Sequence, residues 1–418
     1  MSRLGVIDGV RRTYFWDDVG QQRSIPLDAK IGLVQIGGNP SRYTPGFGAM
    51  AAYLYAMMTE DDVIMTLKQL CGVEIEKASL ARLVQTVGEP YLPKQTEAVA
   101  PDNPTHETMR PSGILEQRIK AIEERPDCDR IIQDAVDGKI EGVGSSGPAK
   151  MTVIYGMSDG TGVPGLKREL SGHGKNGGNA HTFEAKVGAV FKQEFCVDGL
   201  PVLNKNGDIF RIPGTTQYTA TVEKVDPFAR QMVGFLADNG ACDAPCAVFL
   251  SDGAIWLSHL PERIFPSHVP VTMIIDKYHA IERLNDLVDN LYFYKAEPRE
   301  KFRAEARRLL DLGKIQEMAA LIREKATSLK PTKKGKVDKG LEYFTKNAEK
   351  MRYGLFQAAG LFVGSGVVEA ACKTVVGKRL KNAGMHWSKK GAAITIALRC
   401  AIMSGCFDYC HSEFELAA

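Results

Sequence analysis

The chain of 418 residues is short of several things, and each shortage excludes a class of protein. Its nine cysteines are scattered and odd in number. A secreted disulfide scaffold calls for an even, dense set in a short chain. No stretch reaches the ~18 uncharged apolar residues of a membrane helix, so no membrane partner is expected. The opening MSRLGVIDGVRR lacks the apolar core of a signal peptide. The expected location is the cytoplasm. Internal repeats and low-complexity segments are missing too. Charge of one sign is also scarce: 53 Lys and Arg face 50 Asp and Glu, a net of +3. Averaged over the chain, that balance argues against a nucleic-acid partner, and only its local distribution can overturn this.

What is present suits a globular protein of two or three domains, with 44% hydrophobic and 25% charged residues. Residues 1–45 read as short β or irregular structure, stopped by Gly37-Gly38-Asn39-Pro40. Residues 46–95 carry apolar positions at helical spacing. Thr59 followed by Glu60, Asp61 and Asp62 predicts a helix start, and Gly72 its end. A second helix from Glu76 completes the outline of a helix-turn-helix, or of a plain packed hairpin. Residues 96–147 hold a Pro-rich linker and a helix. Residues 148–292 alternate β and helical patterns in the order β-β-β-α-β-α-β-α. That order predicts an α/β fold of RNase H-like type, a mixed sheet with helices on both faces. Residues 293–360 read as a helical, basic insertion, with SLKPTKKGKVDKG as a Pro/Gly-interrupted loop. Residues 361–418 return to apolar character and are expected to complete the core.

Two acids share a context, Ser158-Asp159-Gly160 and Ser251-Asp252-Gly253, each after an apolar run. Carboxylates at strand ends are where an open α/β sheet presents its chemistry. Magnesium is a hard ion that takes oxygen ligands, and two-metal sites need several carboxylates. The plainer reading is that Asp-Gly simply turns the chain. Glu369 is the third acid. Residues 361–400 contain it alone against seven bases, so it needs a counter-ion, either a metal or Lys373 at i+4. Asp276 and His279 sit at a strand-to-helix junction. Asp276 fits an auxiliary acid, the second metal ligand in place of Asp252, or a helix N-cap. Cys242/Cys246 and Cys406/Cys410, the latter followed by His411, have i,i+4 spacing. Zinc ribbons use C-x2-C pairs, which favours buried thiols over zinc here.

Charge is divided along the chain. Residues 321–360 hold ten bases against four acids, and residues 361–400 seven against one. The C-terminal third therefore has the positive charge that phosphate binding requires.

The runs YGMSDGTGVP, VFLSDGAIWL, IIDKYHAIERL and GSGVVEAACKTVVGKRLKNAGMHWSKKGAAITIALRC resemble bacterial insertion-sequence transposases of the ISKra/ISLre type. These are RNase H-like DDE transposases, and the resemblance spans roughly residues 30–405. It implies a transposase that cleaves and joins DNA with two Mg²⁺ ions, Mn²⁺ substituting. It implies Asp159, Asp252 and Glu369 as the catalytic, metal-holding acids, with His279 contacting the scissile phosphate and Asp276 as auxiliary acid. The implied partners are double-stranded terminal inverted repeats and target DNA, bound by a homodimer or larger synaptic assembly at the bacterial nucleoid. Expected DNA contacts are Lys373, Lys378, Arg379, Lys381, Trp387, Lys389 and Lys390. Trp387 or Trp256 is available to stack on an unpaired base, or to fill the core. The N-terminal region lacks the zinc-binding Cys cluster expected in many relatives. The competing readings are an RNase H-like nuclease without strand transfer, and a non-catalytic DNA-binding regulator.

Overall fold

The computed structural model describes residues 15–17, 22–24, 33–36, 39–40, 43–93, 113–144, 150–170, 181–292 and 297–408. Most of the 1–45 segment, the Pro-rich linker, Cys410 and His411 lie outside these residues. Three helices come first: α1 Pro45–Met57, α2 Glu60–Cys71 and α3 Lys77–Gly88. Thr59 caps α2 by accepting from the Asp62 backbone N–H at 3.3 Å, and three acids fill the first turn. Gly72 ends the helix in the left-handed conformation at φ 64°. Two further helices, α4 Ile114–Glu123 and α5 Cys128–Val136, precede the sheet.

The sheet has five strands. In chain order they are β1 Lys150–Pro164, β2 Thr182–Cys196, β3 Gln217–Thr221, then, after helix α6 Val225–Asp238, β4 Ala247–Ser251 and β5 Val271–Ile275. Their spatial order is β3-β2-β1-β4-β5. The first three pair antiparallel; β4 pairs parallel with both β1 and β5. This mixed sheet is compatible with the RNase H-like core that the sequence predicts.

Strand alternation divides the sheet's side chains between two cores. Ile154, Val190 and Phe249 pack with Phe228 and Met232 of α6. Val153, Tyr155, Met157, Val248 and Leu250 face the larger core on the other side. The remaining helices build that second side. They are α7 Lys277–Leu291, α8 Glu297–Asp311, α9 Ile315–Ala326, α10 Pro331–Lys346, α11 Gly366–Ala371 and α12 Lys389–Met403. A π-helical turn, Cys372–Gly377, follows α11. No helix among the described residues is long and apolar enough to cross a membrane.

Two sequence expectations are revised. Residues 331–340, most of the stretch read as a loop, belong to a helix, α10. Pro331 occupies the first turn, where its missing N–H costs nothing. Gly340 is required by packing, because a Cβ there would run into the Leu287 side chain of α7. Gly340→Ala is therefore expected to destabilise the protein by ~1–3 kcal/mol, despite alanine's better helix propensity, as read from denaturant unfolding.

Asp159 lies inside β1 and not at its end. The strand runs on because Gly160 and Gly162 leave room for Glu184 and Thr182 across the ladder. The helical hairpin packs on the rest of the protein. Leu80, Leu83, Val84 and Val87 of α3 belong to the larger core, and a Cβ on Gly88 would lie 2.5 Å from Ile394 of α12.

Candidate functional site

The parallel pairing of β4 with β1 ends at Leu250 opposite Met157. Continuing that register by two residues brings Asp252 beside Asp159. Both then project on the same face as Leu250 and Met157, the face covered by α11. Asp159 Oδ1 accepts from the Gly160 N–H at 2.7 Å, and Oδ2 accepts from the Cys372 thiol at 3.4 Å. Burial raises the Asp159 carboxyl above its ordinary pKa; the Asp252 charge adds to this, while the two hydrogen bonds and the nearby His279 oppose it. Burial and Asp159 in turn push the Cys372 thiol up.

Asp252 sits in the turn after β4, its Oδ1 accepting from the Ala254 N–H at 2.8 Å. Gly253 beside it has φ 78°. The turn is held from α10. Tyr343 donates its hydroxyl to the Asp252 carbonyl at 3.0 Å, and its ring lies 3.0 Å from where a Gly253 Cβ would be. Arg283 of α7 stacks on the same ring at 4.2 Å. Among the described residues, neither Asp159 nor Asp252 forms an ion pair with a base. Two adjacent carboxylates in a desolvated site call for a cation, and their hard oxygens suit Mg²⁺.

Glu369 is carried by α11 across this face, in ion-paired contact with Lys373 at 2.5 Å. Among the described residues, no group of three or more His, Cys, Asp or Glu is gathered to hold a metal. The structure thus brings Asp159 and Asp252 together, with His279 near, and leaves Glu369 turned to its i+4 lysine. Glu369 is half-exposed.

Asp276 is the N-cap of α7. Its Oδ1 accepts from the His279 N–H at 2.7 Å, and its Oδ2 accepts from the Ser365 N–H. Both oxygens of this buried side chain are committed to backbone donors. Asp276 ties β5 to the Gly364-Ser365-Gly366 loop that launches α11. Asp276→Ala removes both bonds and is expected to cost ~2–4 kcal/mol in denaturant unfolding.

The expected DNA contacts divide. Lys378, Lys381 and Lys389 are exposed, and Lys381 donates to Thr161 of β1 at 2.6 Å. Lys373 pairs with Glu369, and Lys390 with Glu89 at 3.2 Å. Arg379 and Trp387 are buried, which removes both from a DNA surface. Arg379 donates to the Tyr55 carbonyl at 2.8 Å and stacks between Tyr55 and Trp387. Trp387 donates to the Leu380 carbonyl at 3.1 Å. Trp256 packs edge-on to Phe228 in the smaller core. Cys246 is buried, its thiol pushed up to about 12, and Cys242 is exposed.

No protein-family model matches the chain, and no curated protein matches it. Among solved structures, the chain is similar to the Drosophila P element transposase strand transfer complex. The TM-score is 0.29 at 8% identity, over 93% of this chain and 96% of that chain.

Cys372 and Tyr343 are the contacts that sequence reasoning misses. Cys372 stands three residues after Glu369, so helical spacing flags it as a neighbour of the same face. Nothing in the sequence links Tyr343 to Asp252, 91 residues away.

Proposed function

We propose that the protein is a DNA transposase of the DDE class, a phosphoryl transferase that cuts and joins DNA strands. One observation carries this reading: two carboxylates, Asp159 and Asp252, stand side by side, without a basic partner among the described residues, where the parallel part of a mixed sheet ends. Asp159, Asp252 and Glu369 would hold Mg²⁺. When bound, the ions supply charge stabilisation at the attacking and leaving oxygens of an in-line displacement. The chain's own residues do the rest. Asp159 is aimed by the Gly160 N–H and the Cys372 thiol, and Asp252 by its turn and Tyr343. Lys378, Lys381 and Lys389 offer charge to the DNA backbone beside the site. Asp276 acts as a positioning residue for the loop from which the Glu369 helix starts.

The Glu369–Lys373 pair favours a second reading, a DNA-binding protein without catalysis. One assay separates the readings. Purified full-length protein is incubated with Mg²⁺ and a plasmid carrying the DNA that flanks its gene. The transposase reading expects new 3′-hydroxyl ends and joined products, both lost in EDTA. Cleavage with no joined product would leave a nuclease, and binding with no cleavage the regulator.

A further inference from the structure

Beside α11 lies a cleft of about 620 Å³. Its volume falls in the ~300–1,000 Å³ range that encloses a ligand the size of a nucleotide. Three bases line it, Arg211, Lys277 and Arg307, and no acid does. Lys277 and Arg307 share one carboxylate behind the wall, Asp311, at 2.9 and 3.0 Å. Arg211 has no carboxylate partner among the described residues, and its guanidinium lies 5.7 Å from the Phe191 ring. Apart from Gln357, which accepts from Lys277 at 3.1 Å, the walls are mostly apolar and aromatic. Tyr278 stands at the rim, 62% exposed, the most exposed large aromatic among the described residues. Its ring lies flat enough against Gly364 that a Cβ there would be 2.8 Å away. An exposed aromatic beside unspent positive charge is the arrangement that takes a base on its face and a phosphate at its edge.

We propose that this cleft holds one unpaired nucleotide of a DNA strand. The base lies against Tyr278 and Phe362, and the phosphate is received by Arg211 with Lys277 and Arg307. A strand nucleotide fits better than a free one because Gly366, Val367 and Ala370 of α11 form part of the lining. Glu369 stands on the same helix, directly before Ala370, so the cleft and the proposed site share α11. The inference rests on the DNA reading above and adds a site to it.

The test uses the full chain in EDTA, so that binding is read apart from catalysis. Fluorescence anisotropy compares a blunt duplex, the same duplex with a short 3′ overhang, and that overhang with one abasic position. The overhang is expected to bind about tenfold more tightly than the blunt end, in line with ~1–3 kcal/mol per stacked base. Abasic substitution, Tyr278→Ala and Arg211→Glu each remove the preference and leave blunt-duplex affinity unchanged; Tyr278→Phe retains it. A 5-iodouracil in the overhang crosslinks to Tyr278 or Phe362. An overhang preference that survives both Tyr278→Ala and Arg211→Glu, or crosslinks that map elsewhere, overturns the proposal. Binding of thymidine monophosphate lost in the Arg211→Glu variant, with no overhang preference, would overturn the strand source in favour of a free nucleotide. Mg²⁺-dependent cleavage without any overhang preference would sink this site alone. Absence of all DNA binding would sink the DNA reading with it.

Discussion

Asp252→Ala yields a folded protein whose Mg²⁺-dependent DNA cleavage falls by at least ~10³-fold, about 4 kcal/mol of transition-state stabilisation. The fold survives because Asp252 is only partly buried, in a turn that keeps its Gly253 conformation and its Tyr343 hydrogen bond, which goes to the backbone carbonyl. The loss is large because Asp252 supplies one half of the carboxylate pair proposed to hold the metal. A circular-dichroism melt close to the parent, beside abolished cleavage, is the expected pair of results. Calorimetry with Mn²⁺ gives a second readout, expected to show weakened or absent ion binding. Near-parental cleavage by this variant would remove Asp252 from the site. The contrast with Asp276→Ala is diagnostic. That change acts through stability and the α11 loop, and so lowers the melting midpoint before it touches chemistry.

Arg399→Met is expected to destabilise the whole molecule by ~3–5 kcal/mol, measured by denaturant unfolding. Arg399 is buried, with no carboxylate partner among the described residues. It donates to the carbonyls of Ala56 at 2.5 Å, Val375 at 2.7 Å and Thr374. Arg379 donates in the same way to Tyr55, so two guanidiniums cap the C-terminal end of α1. The negative end of the helix dipole and the carbonyls together replace the missing counter-ion. Burial lowers the pKa of both arginines, yet an arginine stays charged at any relevant pH. Methionine fills much of the volume but leaves three carbonyls unpaired, each worth ~1–3 kcal/mol. The damage should extend beyond local fraying. Val375 and Thr374 belong to the π-helical turn that follows α11, so the change loosens the end of α1 and the Glu369 segment at once. Limited proteolysis is expected to cut both regions together. Cutting near the end of α1 alone would show that Arg399 does not join them.

Much of this molecule is legible in its residues. The order of strands and helices from β1 to α7 follows from period-two and period-3.6 patterns. The start of α2 at Thr59 and its end at Gly72 follow from capping chemistry, which is local. The two Ser-Asp-Gly contexts mark the acids because a carboxylate and a glycine after an apolar run need no distant partner to be noticed. Lys373 at i+4 from Glu369 is equally visible, and the ion pair between them is the plainer of the two readings offered for that acid.

Burial is what the sequence cannot reveal. Arg379 stands among lysines in VVGKRLKNAG and reads as one more DNA contact, yet it is enclosed between Tyr55 and Trp387. Its partners are 324 and 8 residues away, and only the tertiary fold brings them together. Asp276 has three chemically sound roles on paper; the structure shows it as the N-cap of α7, with its second oxygen accepting from the Ser365 N–H, 89 residues on. Local patterns determined which elements form and which residues carry charge. The tertiary structure decided which of those charges meet a ligand and which meet the backbone, because a side chain's role is set by what desolvates it and what pairs with it.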